Sequence, residues 1–172
     1  MGGIRSDFEL FAERELPGLL RCATMLTGDT ELARDLVQDV MLKAHNHWDR
    51  VSAAEHPNLY LKAMLTRTHI SWRRRWSVRN IMTGYDGAVT GADVPDHADA
   101  VVDRDALWHR MADLPRQQRA VLVLRYYEHL TDSEIADVLG CTAGTVRGYA
   151  SRALTALRLQ HTDDLEPSEE TL

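Results

Sequence analysis

Near the C-terminus, Arg147, Ser151 and Arg152 recur within one stretch that also holds Gly144, Gly148 and Thr155. At roughly 100° per residue these side chains share one side of a helix, and Val146, Ala150, Ala153, Leu154 and Leu157 share the other. A helix face of small residues bearing two guanidinium groups suits a DNA major groove. Its backbone can come close, its arginines can bond guanine edges or phosphates, and Ser151 can reach a phosphate or a base. A solvated helix packed on a neighbour, with the arginines as surface charge, would share this composition.

Two further groupings carry chemistry. From Arg67 to Arg79 the chain has five arginines and no acid. Within it, Leu65-Thr-Arg-Thr-His-Ile-Ser-Trp-Arg-Arg-Arg-Trp76 interleaves cations for phosphates with indoles for stacking on exposed bases. A basic helix end with Trp72 in the core, or an anionic membrane surface, would draw on the same residues. The presence of a second DNA-directed element favours nucleic acid. Upstream, Asp35, Gln38, Asp39, Leu42 and Asn46 fall on one helical stripe, opposite Ala33, Leu36, Val37, Val40 and Ala44. Such a stripe suits docking on a basic partner, with an apolar centre contributing burial. A lone exposed leucine on a solvated face is the plainer reading.

These groups need helices to position them. Thr131 and Glu134 have capping-box spacing. Ile135, Val138 and Leu139 then form an apolar face, Gly140 offers a left-handed stop, and Thr142 can cap the next helix. The result is a helix-turn-helix. Upstream, the helical period begins near Ser6, and Pro17 is expected to break or restart it. Asp29 caps a long helix to about Trp48, a loop runs from Val51 to Asn58, and Pro57 opens a helix to about Arg75. Ser77 to Asp99 reads as a linker. A helix then begins at Asp103 or Asp105, Leu114-Pro115 interrupts it, and another spans Arg116 to Glu128.

The 172 residues are 44% hydrophobic and only 6% aromatic, with little strand-like alternation, which points to an all-helical chain. The net charge of −6 is segregated: nine acids face six bases in the first fifty residues, and the last twelve carry five acids and no base. Local patches therefore matter more than the sum. No apolar run suits a membrane span, and Met1 to Asp7 lack a signal core, so a cytoplasmic chain with Cys22 and Cys141 as free thiols is expected. His45 and His47 point about 200° apart on a helix, with no third ligand at useful spacing. No phosphate loop or nucleophile motif appears. Neither a metal, a cofactor nor catalysis is expected.

Taken in order, the polar helix Ala33-Arg-Asp-Leu-Val-Gln-Asp-Val-Met-Leu-Lys-Ala44, the basic-aromatic helix, the linker and the helix-turn-helix resemble a bacterial extracytoplasmic-function sigma factor of the SigE-like branch. Leu26-Thr-Gly-Asp29, His69-Ile-Ser-Trp-Arg-Arg-Arg75, Asp113-Leu-Pro115, Gln118-Arg-Ala-Val121 and Leu124-Arg-Tyr-Tyr-Glu128 match as well, so the resemblance covers about residues 6–160. It implies an all-α fold of two small domains: domain two at 1–76, a flexible linker at 77–102 and domain four at 103–160. The acidic residues 161–172 read by composition as a disordered tail. It also implies RNA polymerase core, through the β′ clamp helices and the β flap, and promoter DNA as partners, together with an anti-sigma factor. By the same resemblance Asp35, Gln38, Asp39 and Leu42 would bind core. Trp48, Asn58, Arg67, His69, Arg73, Arg74 and Arg75 would contact the −10 region, and Thr145, Arg147, Gly148, Ser151 and Arg152 the −35 region. Arg67 stands where relatives often carry asparagine, and Tyr149 where a polar or basic residue is common. The competing reading is a dimeric helix-turn-helix regulator, which leaves the docking stripe and the Arg-Trp helix unexplained.

Overall fold

The computed structural model describes residues 6–80, 107 and 109–165, with side chains placed at 6–71, 107 and 109–158. The chain divides into two compact units, Met1–Val94 and Pro95–Leu172. The described residues form helices and no strand.

The first unit holds α1 (Asp7–Thr27), α2 (Thr30–Asn46), α3 (Trp48–Ser52) and α4 (Pro57–Asn80). A capping box opens α1: Ser6 Oγ accepts from Glu9 N at 3.3 Å, and Glu9 Oε2 accepts from Ser6 N at 2.9 Å. Gly28 closes it at φ 73°, a left-handed conformation that costs glycine little. Asp29 then starts α2, its carboxylate accepting from Glu31 N and Leu32 N at 2.8 and 3.0 Å. So short a connection makes α1 and α2 neighbours, and both pack on α4. Leu19, Cys22, Ala23 and Leu26 of α1 meet Ala33, Leu36, Val37, Val40 and Ala44 of α2 in the core, with Val51, Leu61 and Leu65 completing it. Each large apolar side chain so buried stabilises the unit by roughly 1.5–3 kcal/mol.

Three features differ from those read in the sequence. Pro17 lies inside a continuous α1. Its ring is on the solvent side, and buried anchors on both flanks, Phe11 before and Leu19 after, hold the helix through the missing donor. The long second helix ends at Asn46, short of Trp48, and a separate short helix, Trp48–Ser52, takes in Val51 and Ser52 from the expected loop. Val51 is the cause: fully buried, it pins this turn against the α4 side of the core. Helix α4 runs to Asn80, into the segment read as linker. The rest of that linker and the start of the next helix lie outside the described residues.

The second unit holds α5 (Arg116–Leu122), a π-helical turn (Val123–Tyr127), α6 (Asp132–Leu139) and α7 (Ala143–Leu165). Leu114-Pro115 does punctuate the chain here, with Pro115 at the N-cap of α5. The segment read as one helix to Glu128 widens in its last turn, where Glu128 N donates to Val123 O at 3.1 Å across five residues. His129 follows at φ 56°, the only non-glycine residue with positive φ among those described. Val123 and Leu124 are both buried. Both α5 and α6 pack on α7. Arg119 is an unexpected member of this core. Its Nε donates to Met111 O at 2.7 Å, and burial pulls its pKa below the ordinary arginine value, helped by Arg116 and opposed by Asp113. Helix α7 continues to Leu165, so the first residues of the expected acidic tail are helical, and residues 166–172 lie outside the description.

Candidate nucleic-acid interface and docking surface

The helix-turn-helix forms from the local signals that foreshadow it. Thr131 Oγ1 accepts from Glu134 N at 3.3 Å while Glu134 Oε2 accepts from Thr131 N at 2.8 Å, which fixes the start of α6. Gly140 ends that helix at φ 67°. Thr142 Oγ1 accepts from Thr145 N at 3.1 Å and lies 3.0 Å from Thr145 Oγ1, capping α7. Thr145, a candidate contact, is thus half-buried and engaged in the cap.

Helix α7 has two distinct faces. Val146, Ala150 and Ala153 are buried against α5 and α6, whereas Gly144, Arg147, Ser151, Arg152 and Thr155 are exposed and Gly148 half-exposed. Helix packing does not require the glycines. A Cβ on Gly148 would meet nothing closer than Arg152 Nη2 at 3.8 Å, and one on Gly144 nothing closer than Thr142 Oγ1 at 3.7 Å. Interior helical glycine costs about 0.5–1 kcal/mol relative to alanine, and here no internal contact offsets it. What glycine does supply is a thin face that another molecule can approach. The two arginines are held differently. Arg152 lies over the Tyr149 ring at 5.2 Å, a cation–π contact. Arg147 stays 65% exposed, with Nη1 4.0 Å from Asp132 Oδ2. Tyr149 is therefore half-buried, and its ring contact restrains the Arg152 side chain.

In the first unit the expected DNA residues are not all at one surface. Arg67 is exposed, and Leu65, Thr66, Thr68 and His69 around it are buried. His69, expected at the DNA face, is only 4% exposed and takes a packing position. Trp48 is half-buried, its ring 5.3 Å from Phe8 in an edge-on contact and 5.1 Å from Phe11. These contacts cover part of the indole that was expected to meet a base. Asn58 is exposed in the first turn of α4. It lines a groove of about 250 Å³ between α1 and α4, where Arg14, Arg21 and Lys62 outnumber the one acid, Glu15, whose Oε1 lies 2.8 Å from Arg14 Nε, beside Leu19 and Leu61. Sequence reasoning missed this groove, because its cations come from helices distant in sequence. Arg73, Arg74 and Arg75 continue α4, but their side chains lie outside those described.

The stripe on α2 is on the surface. Asp35 and Gln38 are exposed, Asp39 is half-exposed, and Leu42 is 60% exposed while the opposite side of the helix is buried. Lys43 Nζ lies 2.8 Å from Asp39 Oδ2, so one of the two carboxylates already has a cation on its own helix. The i,i+4 spacing of Asp39 and Lys43 is the sequence signal for that pair.

Comparison with known proteins gives one consistent result. The chain matches the model of Sigma-70 region 2 over residues 11–78 and that of Sigma-70, region 4 over residues 104–157. It is 31% identical to the RNA polymerase sigma-E factor of Streptomyces avermitilis, over 88% of this chain and 83% of that protein. It is 33% identical to the ECF RNA polymerase sigma factor SigL of Mycobacterium tuberculosis, over 82% of this chain and 81% of that one. In fold it resembles the sigma factor RpoE of Bartonella quintana, solved as a co-crystal with the anti-sigma factor NepR. That match has a TM-score of 0.77 at 23% identity and covers 94% of this chain and 99% of the other.

Proposed function

The chain belongs to the extracytoplasmic-function sigma factors of bacterial RNA polymerase, and from that premise we propose how its surfaces divide the work of initiation. It joins polymerase core, recognises promoter DNA and directs transcription initiation. The single observation that carries the assignment of parts is the pairing of an exposed acidic-apolar stripe on α2 with a thin, arginine-bearing face on α7.

In this reading residues 1–76 form the core-binding and −10 domain, and residues 103–160 the −35 domain. Asp35, Gln38, Asp39 and Leu42 dock on the β′ clamp helices, where complementary charge selects the partner and Leu42 supplies apolar burial. The −35 domain also meets the β flap. Arg147, Ser151 and Arg152 contact the −35 element, and Gly148 lets the helix backbone sit close to it. Arg67 and the arginines at 73–75 steer DNA at the upstream edge of the melted region. Asn58 and the groove beside it, with Arg14, Arg21 and Lys62, receive the unpaired strand. The open face of Trp48 stacks beneath it, and His69 acts through packing. Capturing unstacked bases offsets a melting cost of a few kcal/mol. Core holds both domains on one promoter and so makes two weak contacts act as one strong one. No group here acts as a catalyst, and the protein works in the cytoplasm. No described helix is long and apolar enough to cross a membrane. An anti-sigma factor, the kind of partner that the Bartonella neighbour's structure contains, would regulate it by masking these surfaces.

The direct experiment is run-off transcription with purified core and a pool of promoter fragments, with and without the protein. Core-dependent initiation at a defined set of sequences is the expected outcome. DNA binding by the protein alone as a dimer, with no response from core, would overturn it.

A second test isolates the thin face. Gly148→Ala is expected to raise the melting temperature of the C-terminal unit by about 2–8 °C, because alanine gains roughly 0.5–1 kcal/mol in a helix interior and the added methyl fits. The same change should weaken binding to promoters that carry the −35 element. A stabilised variant with unchanged promoter affinity would show that the backbone of α7 does not approach DNA at this point.

A further inference from the structure

Asp132, the first residue of α6, lies between two arginines from different elements. Its Oδ1 accepts from Arg125 Nε at 3.0 Å and from Arg125 Nη2, and its Oδ2 faces Arg147 Nη1 at 4.0 Å. Arg125 belongs to the π-helical turn and Arg147 to the exposed face of α7. The Thr131–Glu134 capping box fixes the backbone that carries the carboxylate. The side chains of Arg125 and Asp132 are each only about a quarter exposed, which protects this pair from water more than the outer one with Arg147. The hydrogen bond that Arg125 donates to Asp132 is the main reason it holds its proton more tightly than an ordinary arginine.

An acid at this position opposes DNA binding. In a helix-turn-helix the first helix crosses the phosphate backbone while the second enters the groove, so a carboxylate at the start of α6 repels the phosphates that approach it. Its neighbour Arg147 has two competing destinations, a guanine edge that carries sequence information and a phosphate that carries none. A carboxylate 4.0 Å from Nη1 biases the side chain toward its own end of the helix and makes the nearby backbone path less favourable. Taking α7 as the −35 reader, as proposed above, we infer that Asp132 is a positioning residue for promoter selectivity. It keeps Arg147 available to base edges, lowering affinity for DNA in general while raising discrimination between sequences.

Asp132→Asn is the informative variant, because an amide oxygen can still accept from Arg125 while the charge beside Arg147 is gone. Holoenzyme assembled with the full-length variant is assayed on a promoter with its preferred −35 element and on one with that element scrambled. Expected results are about two- to threefold tighter binding to the scrambled fragment and a preferred-to-scrambled ratio lower by roughly five- to tenfold, within the range that one arginine–guanine contact carries. Asp132→Glu, with the charge on a longer arm, should recover part of the ratio. In an Arg147→Ala background, Asp132→Asn should lower the ratio no further, which is the signature of coupled residues. Thermal melting is measured for every variant. If the ratio falls only in step with melting temperature in both Asp132 variants, the residue is scaffolding and the inference is wrong. If Arg147→Ala lowers the ratio and Asp132→Asn leaves it unchanged, the inference fails but α7 remains the reader. If Arg147→Ala itself has no effect, the assignment of α7 fails first.

Discussion

Polymerase core is expected to bind an Asp35→Lys, Asp39→Lys double variant at least about 100-fold more weakly than the native chain, with secondary structure and melting temperature nearly unchanged. The size follows from electrostatics at an interface. Placing like charges against a basic docking surface costs several kcal/mol, and about 2.7 kcal/mol already corresponds to 100-fold in affinity. The fold should survive because Asp35 is exposed and Asp39 half-exposed, while the core side of α2 is untouched. What the fold loses is the Asp39–Lys43 pair on the helix surface, a contact of the kind that contributes only a few tenths of a kcal/mol. The single variants separate further. Asp39 shares its charge with Lys43 at 2.8 Å before any partner arrives, and Asp35 has the more open carboxylate. Asp35→Lys should therefore weaken core binding more than Asp39→Lys. Equilibrium binding of labelled protein to core, in parallel with circular dichroism and melting, checks all three. Normal core affinity in the double variant would remove α2 from the docking surface.

The particulars of α4 and α5 show what could and could not be read from the sequence. The turn of the helix-turn-helix and the three helix ends nearest it were legible because each is set locally, by Thr131 with Glu134, by Gly140 and by Thr142, whereas the far end of α7 has no such signal and runs past the expected end to Leu165. The two faces of α2 were legible for a similar reason, since a strong 3.6-residue period separates Ala33, Leu36, Val37, Val40 and Ala44 from the rest. His69 was readable but was outweighed by its arginine neighbours. It continues the Leu61–Leu65 row at i,i+4 spacing, and both leucines are buried. The partial covering of Trp48 depends on Phe8 and Phe11, two rings that reach it only once α1 has folded against α2 and α3. No local signal could give that contact. The widened turn at Val123–Tyr127 left no mark either, because Val123 and Leu124 satisfy the apolar pattern of an ordinary helix as well as that of a π-helical turn. Its consequence, the meeting of Arg125 with Asp132, joins residues seven apart across a bend.

Arg147→Ala and Arg152→Ala should fail in different ways, because the two side chains are held differently on α7. Arg152 is stacked on Tyr149 at 5.2 Å and further along α7 from the turn. That placement suits a phosphate contact, in which loss of one charge weakens binding across all sequences and reduces the salt dependence by about one ion. Arg147 lies in the first turns of α7, where a recognition helix meets base edges. Its removal should cost roughly 1–3 kcal/mol of discrimination at one −35 position and relax the preference there. Together the two changes should lower initiation at −35-dependent promoters by about 100-fold or more, if the contributions add. Core binding should not change, because these residues lie outside the α2 stripe and on the exposed face of α7 assigned to DNA. Promoter titrations by holoenzyme at several salt concentrations, with single-base variants of the −35 element, distinguish the cases. Equal, sequence-independent losses from both substitutions would make Arg147 a second phosphate contact. The base-reading role would then have to pass to Ser151 or to the backbone exposed at Gly148, and the restraint imposed by Asp132 would have nothing to aim.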